Sequence, residues 1–291
     1  MATTIPAPLA GKVAIITGGS RGIGEAVALD FARKGCTSIA ITYHTDRTAA
    51  EKVLESIRSV NSSIKTTAFA ADVCDPKCGK HVVSRAMKDL QTDRIDILVC
   101  NAGIQSANTL RPAREVTKED VDLFMCAQAW TPLFLAQEVY PHMPRGGRIV
   151  MCSSGASKKA YGDPMLLQAM SKAAMDAVAR NLGAQFGKDK GITVNSIGVG
   201  STDTESLRDV MGQHEKLRSR MENNSVLERI GTVEEVASII SFVCSPEASW
   251  LCSNQIPANG GSVPEAIEVV EDAPILSPLS ISYLQSLRSI T

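Results

Sequence analysis

One short stretch near the start of the chain constrains the fold most, because it joins an apolar run, a set of glycines and a helical pattern. Residues 12–17 read Lys-Val-Ala-Ile-Ile-Thr, which is typical of a strand buried in a parallel sheet. Gly18, Gly22 and Gly24 follow, and residues 25–33 repeat apolar side chains at helical period. Glycine lets backbone N–H groups approach a phosphate at a helix N-terminus, so this order predicts a diphosphate site. The spacing is G-x-x-x-G-x-G rather than G-x-G-x-x-G, and a tight turn without a ligand is the alternative interpretation.

Apolar strands alternate with helical patterns along the rest of the chain. The further predicted strands span 37–43, 64–71, 95–100, 148–152 and 192–197. The predicted helices span 48–60, 76–90, 128–140 and 167–186, with one more beginning at Thr117 in a short capping box with Asp120. This alternation predicts a single-domain α/β fold, a doubly wound parallel sheet of the Rossmann type. Ligands bind at the carboxyl ends of such strands, where the sequence places Gly18, Asp72, Asn101, Ser154 and Gly198.

Composition excludes several classes of partner. The 291 residues carry 30 basic and 31 acidic side chains, and no basic cluster favours nucleic acid or an anionic membrane. No apolar run reaches the length of a membrane span, so we expect a cytoplasmic protein. The eight cysteines lie mostly in apolar contexts typical of buried free thiols. Cys74 and Cys78 are close in sequence, but no second cysteine pair of this kind follows, and we expect no metal site.

Seven short motifs follow one another along the chain in an order that is specific for one family. They are Thr17-Gly18-Gly19-Ser20-Arg21-Gly22-Ile23-Gly24, Ala71-Asp72-Val73, Asn101-Ala102-Gly103, residues 147–154, Ser171-Lys172-Ala173-Ala174, residues 191–196 and Asn259-Gly260-Gly261. From about Leu9 to Val263 the chain resembles the short-chain dehydrogenase/reductase family. Within that family it resembles the fungal reductases of polyketide-like ketones that are related to hydroxynaphthalene reductases.

The resemblance implies a cofactor site for a nicotinamide dinucleotide. In the family the glycine turn holds the diphosphate, Asp72 meets the adenine, and Asn101 faces the adenosine ribose. Lys172 matches the lysine that bonds the nicotinamide ribose, and Thr202 matches a threonine near the carboxamide or diphosphate. Val199 stands where the family usually has a proline. The implied cofactor-binding residues are Gly18, Ser20, Arg21, Gly22, Ile23, Gly24, Asp72, Val73, Asn101, Ala102, Gly103, Lys172, Val199 and Thr202.

Charge at the end of the second strand favours NADP(H) over NAD(H). An acid there usually holds a 2′-hydroxyl, whereas a 2′-phosphate is bound by cations. The strand ends at Tyr43-His44 without an acid, and Arg21 and Arg47 lie nearby. Asp46 lies past the expected position. The alternative is that both arginines point to water.

The catalytic motif departs from the family pattern. The family reduces ketones with an Asn, Ser, Tyr and Lys set, in which the tyrosine gives the proton and stands four residues before the lysine. Ser154 and Lys172 match, but Gln168 stands where the tyrosine is expected. The best match to the asparagine, which holds a water in the family, is Gln128. A glutamine amide does not transfer a proton at useful cost, so the set lacks its acid.

Three interpretations of this departure remain open. Another group supplies the proton, for which Tyr161 and Asp163 in the segment before the long helix are the candidates. Alternatively, the chain is an inactive cofactor-binding scaffold or regulatory partner. In the third interpretation the substrate needs no enzyme acid: it is an iminium or an enone, or it undergoes a cyclisation or isomerisation in which fixed dipoles do the work. Trp130 is then an aromatic wall or a core residue, and His142 lies on the surface.

Two regions outside the central motifs complete the prediction. Residues from about 204 to 230 are expected to form a lid that sets substrate choice, within a domain spanning 1–263. Residues 264–291 form a C-terminal extension beyond the point where the family normally stops. The substrate is predicted to be a small polyketide- or alkaloid-like metabolite, with no nucleic-acid or membrane partner. The resemblance also implies a homotetramer or dimer formed through helices near 117–144 and 167–187.

Overall fold

The computed structural model describes residues 7–104, 111–160, 162, 164–212 and 215–262. Within them, seven strands form one sheet in the order β3-β2-β1-β4-β5-β6-β7, and every pairing is parallel. The strands are β1 Val13–Ile16, β2 Ser38–Tyr43, β3 Lys65–Ala70, β4 Ile97–Cys100, β5 Arg148–Ser154, β6 Thr193–Val199 and β7 Gln255–Ala258. The predicted doubly wound α/β sheet is confirmed.

Helices cover both faces of the sheet. They are α1 Gly22–Arg33, α2 Arg47–Val60, α3 Cys78–Leu90, α4 Lys118–Met125, α5 Thr131–Val139, α6 Leu166–Lys190, α7 Glu205–Met211, α8 Glu215–Asn223 and α9 Val233–Cys244. The strand period of two divides the core into two layers, because successive side chains point to opposite faces. Ala14 and Ile16 pack with α1, α2 and α9, whereas Val13 and Ile15 pack with α3, α5 and α6.

Two elements differ from the sequence-based prediction in ways that matter for the site. The helix predicted over 128–140 is a π-helical segment, Cys126–Trp130, followed by α5. Strand β7 and helix α9 were not predicted. Pro257 interrupts the strand pattern of β7, but a proline is tolerated there because β7 is an edge strand.

Residues 204–230, which we expect to form a lid, contain α7 and α8, and the predicted C-terminal extension lies outside the described residues. Leu207 and Met211 on α7 are buried, in agreement with an apolar face packed against the body of the protein. No helix in the described ranges combines the length and apolar character that crossing a bilayer requires.

Candidate active site

The glycine turn between β1 and α1 is a backbone cradle that side chains would fill. A Cβ on Gly24 would lie 2.2 Å from the Gly18 carbonyl oxygen, so only glycine fits there. Gly18 itself has φ +63°, a conformation that glycine adopts without strain. Arg21, at the N-cap of α1, makes no side-chain capping bond, which leaves the first N–H groups of the helix free for an anion. The turn therefore fits a diphosphate.

Hydrogen bonds to the end of β4 hold this turn in place. Thr17 Oγ1 accepts from the backbone N–H groups of Asn101 at 3.0 Å and Ala102 at 3.1 Å. In return, Asn101 Nδ2 donates to the carbonyl oxygens of Thr17 at 3.1 Å and Gly18 at 3.0 Å. The side-chain nitrogen of Asn101 thus braces the turn, which the resemblance alone did not predict.

The adenine side of the predicted pocket is formed by the loop after β3. Asp72 is exposed, and its Oδ1 accepts from the Cys74 backbone N–H at 2.8 Å. The Val73 carbonyl oxygen accepts from Thr131 Oγ1 at 2.5 Å. Because Thr131 opens α5, this bond ties the adenine side to the helix that follows the π segment.

Two carboxylates lie in the region expected to bind a 2′-phosphate, and each has a partner on α2. Asp46 turns its Oδ1 toward the Ala49 N–H at 2.8 Å, where it caps α2. Arg47 Nε donates to Glu51 at 2.7 Å, so this arginine already has an anionic partner. Arg21 is exposed and forms no ion pair with the described residues. Of the two predicted arginines, Arg21 is therefore the better placed for a phosphate.

Lys172 is a buried cation that forms no ion pair with a carboxylate of the described residues. Its Nζ donates to the Cys152 carbonyl oxygen at 2.7 Å, at the end of β5. Burial lowers its pKa to about 8, because removing the ammonium from water disfavours the charged form. Ser154 lies two residues further along β5, half-buried, and its Oγ accepts from the Ala156 N–H at 3.1 Å. The Ser154 hydroxyl hydrogen has no acceptor in the described part of the chain.

Two glutamines lie beside Lys172 and contact each other. Gln128, 1% exposed, donates from Nε2 to the Ile104 carbonyl oxygen and to Gln168 Oε1, both at 3.1 Å. A Cβ on Gly103 would lie 3.8 Å from both Gln128 Oε1 and Lys172 Nζ. The structure thus brings Gln128, Gln168 and Lys172 to one place at the carboxyl ends of β4 and β5.

The family model described as enoyl-(acyl carrier protein) reductase matches residues 18–262. Short chain dehydrogenase penD of Penicillium thymicola is 37% identical over 260 residues, which cover 88% of this chain and 93% of penD. Hydroxynaphthalene reductase arp2 of Aspergillus fumigatus is 33% identical over 256 residues, which cover 84% of this chain and 89% of arp2. The chain belongs to the short-chain dehydrogenase/reductase family.

A solved structure supports the same assignment. Angucycline C-6 ketoreductase LanV, crystallised with bound NADP, aligns with a TM-score of 0.80 and 32% sequence identity, covering 88% of this chain and 96% of LanV. NADP, the cofactor predicted for this short-chain dehydrogenase/reductase, is thus the one held by a solved relative. The free N-terminus of α1, the glycine cradle and the unpaired Arg21 fit that dinucleotide.

The structure places most of the remaining residues that were predicted for this short-chain dehydrogenase/reductase. Thr202 is buried and donates to the Gly200 carbonyl oxygen at 3.1 Å, and Val199 ends β6 beside Ser154. Tyr161 and Asp163 lie outside the described residues. Trp130 is 44% exposed, so its interpretation as a core residue is wrong, whereas His142 is exposed as predicted.

Sequence reasoning missed Gln255, which supports the loop after Ser154. Its Nε2 donates to Asp176 Oδ2 and Ser157 Oγ, both at 2.7 Å. Asp176 lies one helical turn after Lys172 on α6, a spacing that the sequence does show. Gln255 gave no such signal, because its partners lie 79 and 98 residues away.

Proposed function

We propose that this protein is an NADP(H)-dependent oxidoreductase of fungal-type secondary metabolism that works without the tyrosine acid of its family. This proposal rests on the Gln128–Gln168 hydrogen bond beside Lys172. A neutral amide occupies the position where the family's acid is expected. When bound, NADP(H) supplies the hydride.

The chain's own residues bind the cofactor and orient the substrate. The glycine cradle and Arg21 bind phosphates, and Lys172 offers a cation for the nicotinamide ribose. Ser154 has a free hydroxyl hydrogen for a substrate oxygen, and Gln168 adds a second neutral contact. None of Ser154, Gln168 and Gln128 is an acid able to protonate an alkoxide in the way a phenol does.

Reactions that need no enzyme acid therefore fit this site best. Conjugate reduction of an enone leaves an enolate that water protonates at carbon, and reduction of an iminium needs no proton for the step. A non-redox cyclisation or isomerisation also fits, with NADP(H) as part of the pocket wall. In each case the acceleration comes from orientation and fixed dipoles.

The relatives support a small polycyclic metabolite as substrate. Arp2 is named for a hydroxynaphthalene and LanV for an angucycline. A polyketide- or alkaloid-like ring system is accordingly the substrate class that we propose.

A restored phenol tests the proposal. First, NADPH fluorescence titration is expected to show saturable binding. With NADPH and α-tetralone, we expect Gln168→Tyr to reduce the ketone at least about 100-fold faster than wild type, the contribution typical of a positioned general acid.

Gln168→Phe is the matched control, since it adds the ring without the hydroxyl. If wild type matches Gln168→Tyr, the chain is an ordinary ketoreductase, and Tyr161→Phe and Asp163→Asn then identify its proton donor.

We also infer that the protein forms a homo-oligomer. Four large apolar side chains on the α4–α5 segment and at the start of α6 are between 38% and 46% exposed: Leu123, Trp130, Phe134 and Leu166. Their location agrees with the helices near 117–144 and 167–187 that the family resemblance implies for subunit contact.

A further inference from the structure

We propose that Gln128 is a positioning residue that fixes the polarity of the Gln168 amide. Through it, Gln168 presents its NH₂ group to the substrate and acts there only as a hydrogen-bond donor. The inference rests on the proposed function, in which Gln168 contacts the substrate, and it names the kind of substrate atom that this contact accepts.

The orientation of the Gln128 amide follows from its backbone partner. The Ile104 carbonyl oxygen can only accept a hydrogen bond, so the nitrogen of Gln128 must face it. The opposite assignment would place two oxygens against each other 3.1 Å apart in a site that is 1% exposed. The choice of Nε2 is therefore set by chemistry rather than by the similar shapes of the two amide ends.

The orientation of Gln168 follows from that of Gln128. Since Gln128 Nε2 is also the group that faces Gln168 at 3.1 Å, Gln168 must turn its oxygen toward it. The NH₂ group, on the other branch of the same planar amide, then points away from Gln128. It meets no acceptor in the described ranges, and Gln168 is half-buried, so this nitrogen borders open space.

The backbone around Gln128 keeps this arrangement rigid. Gln128 lies at the centre of the π-helical segment Cys126–Trp130, between the buried Ala127 and Ala129. π turns recur at functional sites, where the wider turn re-aims a side chain. The segment is held at its start by Cys126 Sγ, 3.6 Å from the Cys74 carbonyl oxygen, and just after its end by the bond from Thr131 to Val73.

A second observation concerns the oxygen of the Gln128 amide. Its Oε1 is buried and accepts no hydrogen bond from the described residues. Within the described ranges the amide therefore acts through its nitrogen alone, which donates to Ile104 and to Gln168. An apolar side chain of the same length would leave both of these acceptors without that donor.

The proposal narrows the substrate class. A donor-only contact suits a carbonyl oxygen, and it suits best the oxygen of a conjugated enone, on which negative charge grows as hydride adds. It disfavours a protonated imine whose N–H would face the Gln168 NH₂ group. Of the reactions proposed above, enone reduction therefore fits this contact and iminium reduction does not.

Side-chain amide NMR tests the arrangement without a substrate. In ¹⁵N-labelled protein, Gln168→Met and Gln128→Met identify each NH₂ pair by its disappearance. We expect the Gln128 NH₂ to exchange slowly with solvent and the Gln168 NH₂ to exchange fast. In Gln128→Met, the chemical shifts of the Gln168 NH₂ group should change, because its amide is no longer held in one orientation. Unchanged Gln168 signals in Gln128→Met, or a protected Gln168 NH₂ in wild type, would overturn the proposal.

A matched ligand pair tests the consequence for recognition in the NADP⁺-loaded protein. α-Tetralone and tetralin differ in the carbonyl oxygen, and one neutral hydrogen bond corresponds to about a fivefold preference for the ketone. We expect the Gln168 contact to contribute that factor in wild type, in addition to any contribution of Ser154, and the preference to be about fivefold smaller in both Gln168→Met and Gln128→Met. If the preference decreases in Gln168→Met and not in Gln128→Met, the positioning role is wrong while the proposed function stands. An equal affinity of wild type for both ligands overturns the donor contact itself.

Discussion

At the scale of single residues, the site places one buried cation beside amide and hydroxyl groups, with the Asp176 carboxylate one helical turn further along α6. Lys172 is 5% exposed and its Nζ bonds to a backbone carbonyl. The side chains that lie around it offer amide and hydroxyl dipoles. A buried cation in that setting is destabilising for the fold, and its retention is typical of a functional group.

The pKa of Lys172 predicts how stability depends on pH. Burial lowers this pKa from 10.5 to about 8, so between these values the unfolded chain binds a proton that the folded chain does not. The contribution of Lys172 to the free energy of unfolding therefore rises with pH from about 8 to about 10.5. Buried thiols act in the opposite direction, since burial raises the pKa of Cys152 to about 12.

Comparison with Lys172→Met removes the thiol contribution, which both proteins share. We expect Lys172→Met to be more stable than wild type at about pH 7.5, and this advantage to shrink at about pH 9.5, as wild type gains stability with deprotonation. Urea denaturation at the two pH values measures the difference. The same advantage at both would show that Lys172 titrates at its ordinary pKa when folded.

At the scale of elements, helix caps set where the site-bearing helices begin. Thr117 caps α4 in a capping box with Asp120, as the sequence predicted. The Thr117 side chain accepts from the Asp120 N–H, and the Asp120 carboxylate accepts from the Thr117 N–H at 3.0 Å. Helix α4 leads directly into the π segment that carries Gln128, so this cap fixes the start of the run that positions the site.

Loss of the cap has a predictable cost. Thr117→Ala removes the hydroxyl acceptor and should lower the free energy of unfolding by about 1 kcal/mol. Ser56→Ala is the matched control, because Ser56 is half-buried within α2 and its side chain bonds, among the described residues, only to the Lys52 carbonyl oxygen, and because alanine is the better helix former. Urea denaturation of the two variants measures both effects. An equal change in the two would mean that the box contributes nothing beyond helix propensity.

At the scale of the whole molecule, local signals predicted the sheet and the cofactor end of the site. The β1 strand, the glycine turn and α1 follow directly from side-chain period and glycine positions. The π segment does not, because one extra residue in a turn leaves the apolar pattern helical. The Gln128–Gln168 contact joins positions 40 residues apart, and only the packing of α6 beside the π segment brings them together.

Assembly is the remaining property of the whole molecule that the surface predicts. Phe134 is 46% exposed on α5, beside the other apolar side chains that we assign to a subunit contact. A lysine there would place a charge in that contact, whereas Val60, 39% exposed at the end of α2, lies outside it. By light scattering after size-exclusion chromatography, we expect wild type and Val60→Lys to have a mass above the 31.0 kDa of one chain, and Phe134→Lys to shift toward that value. A wild-type mass of one chain would contradict the oligomer, and an unchanged mass for Phe134→Lys would place the contact elsewhere on the surface.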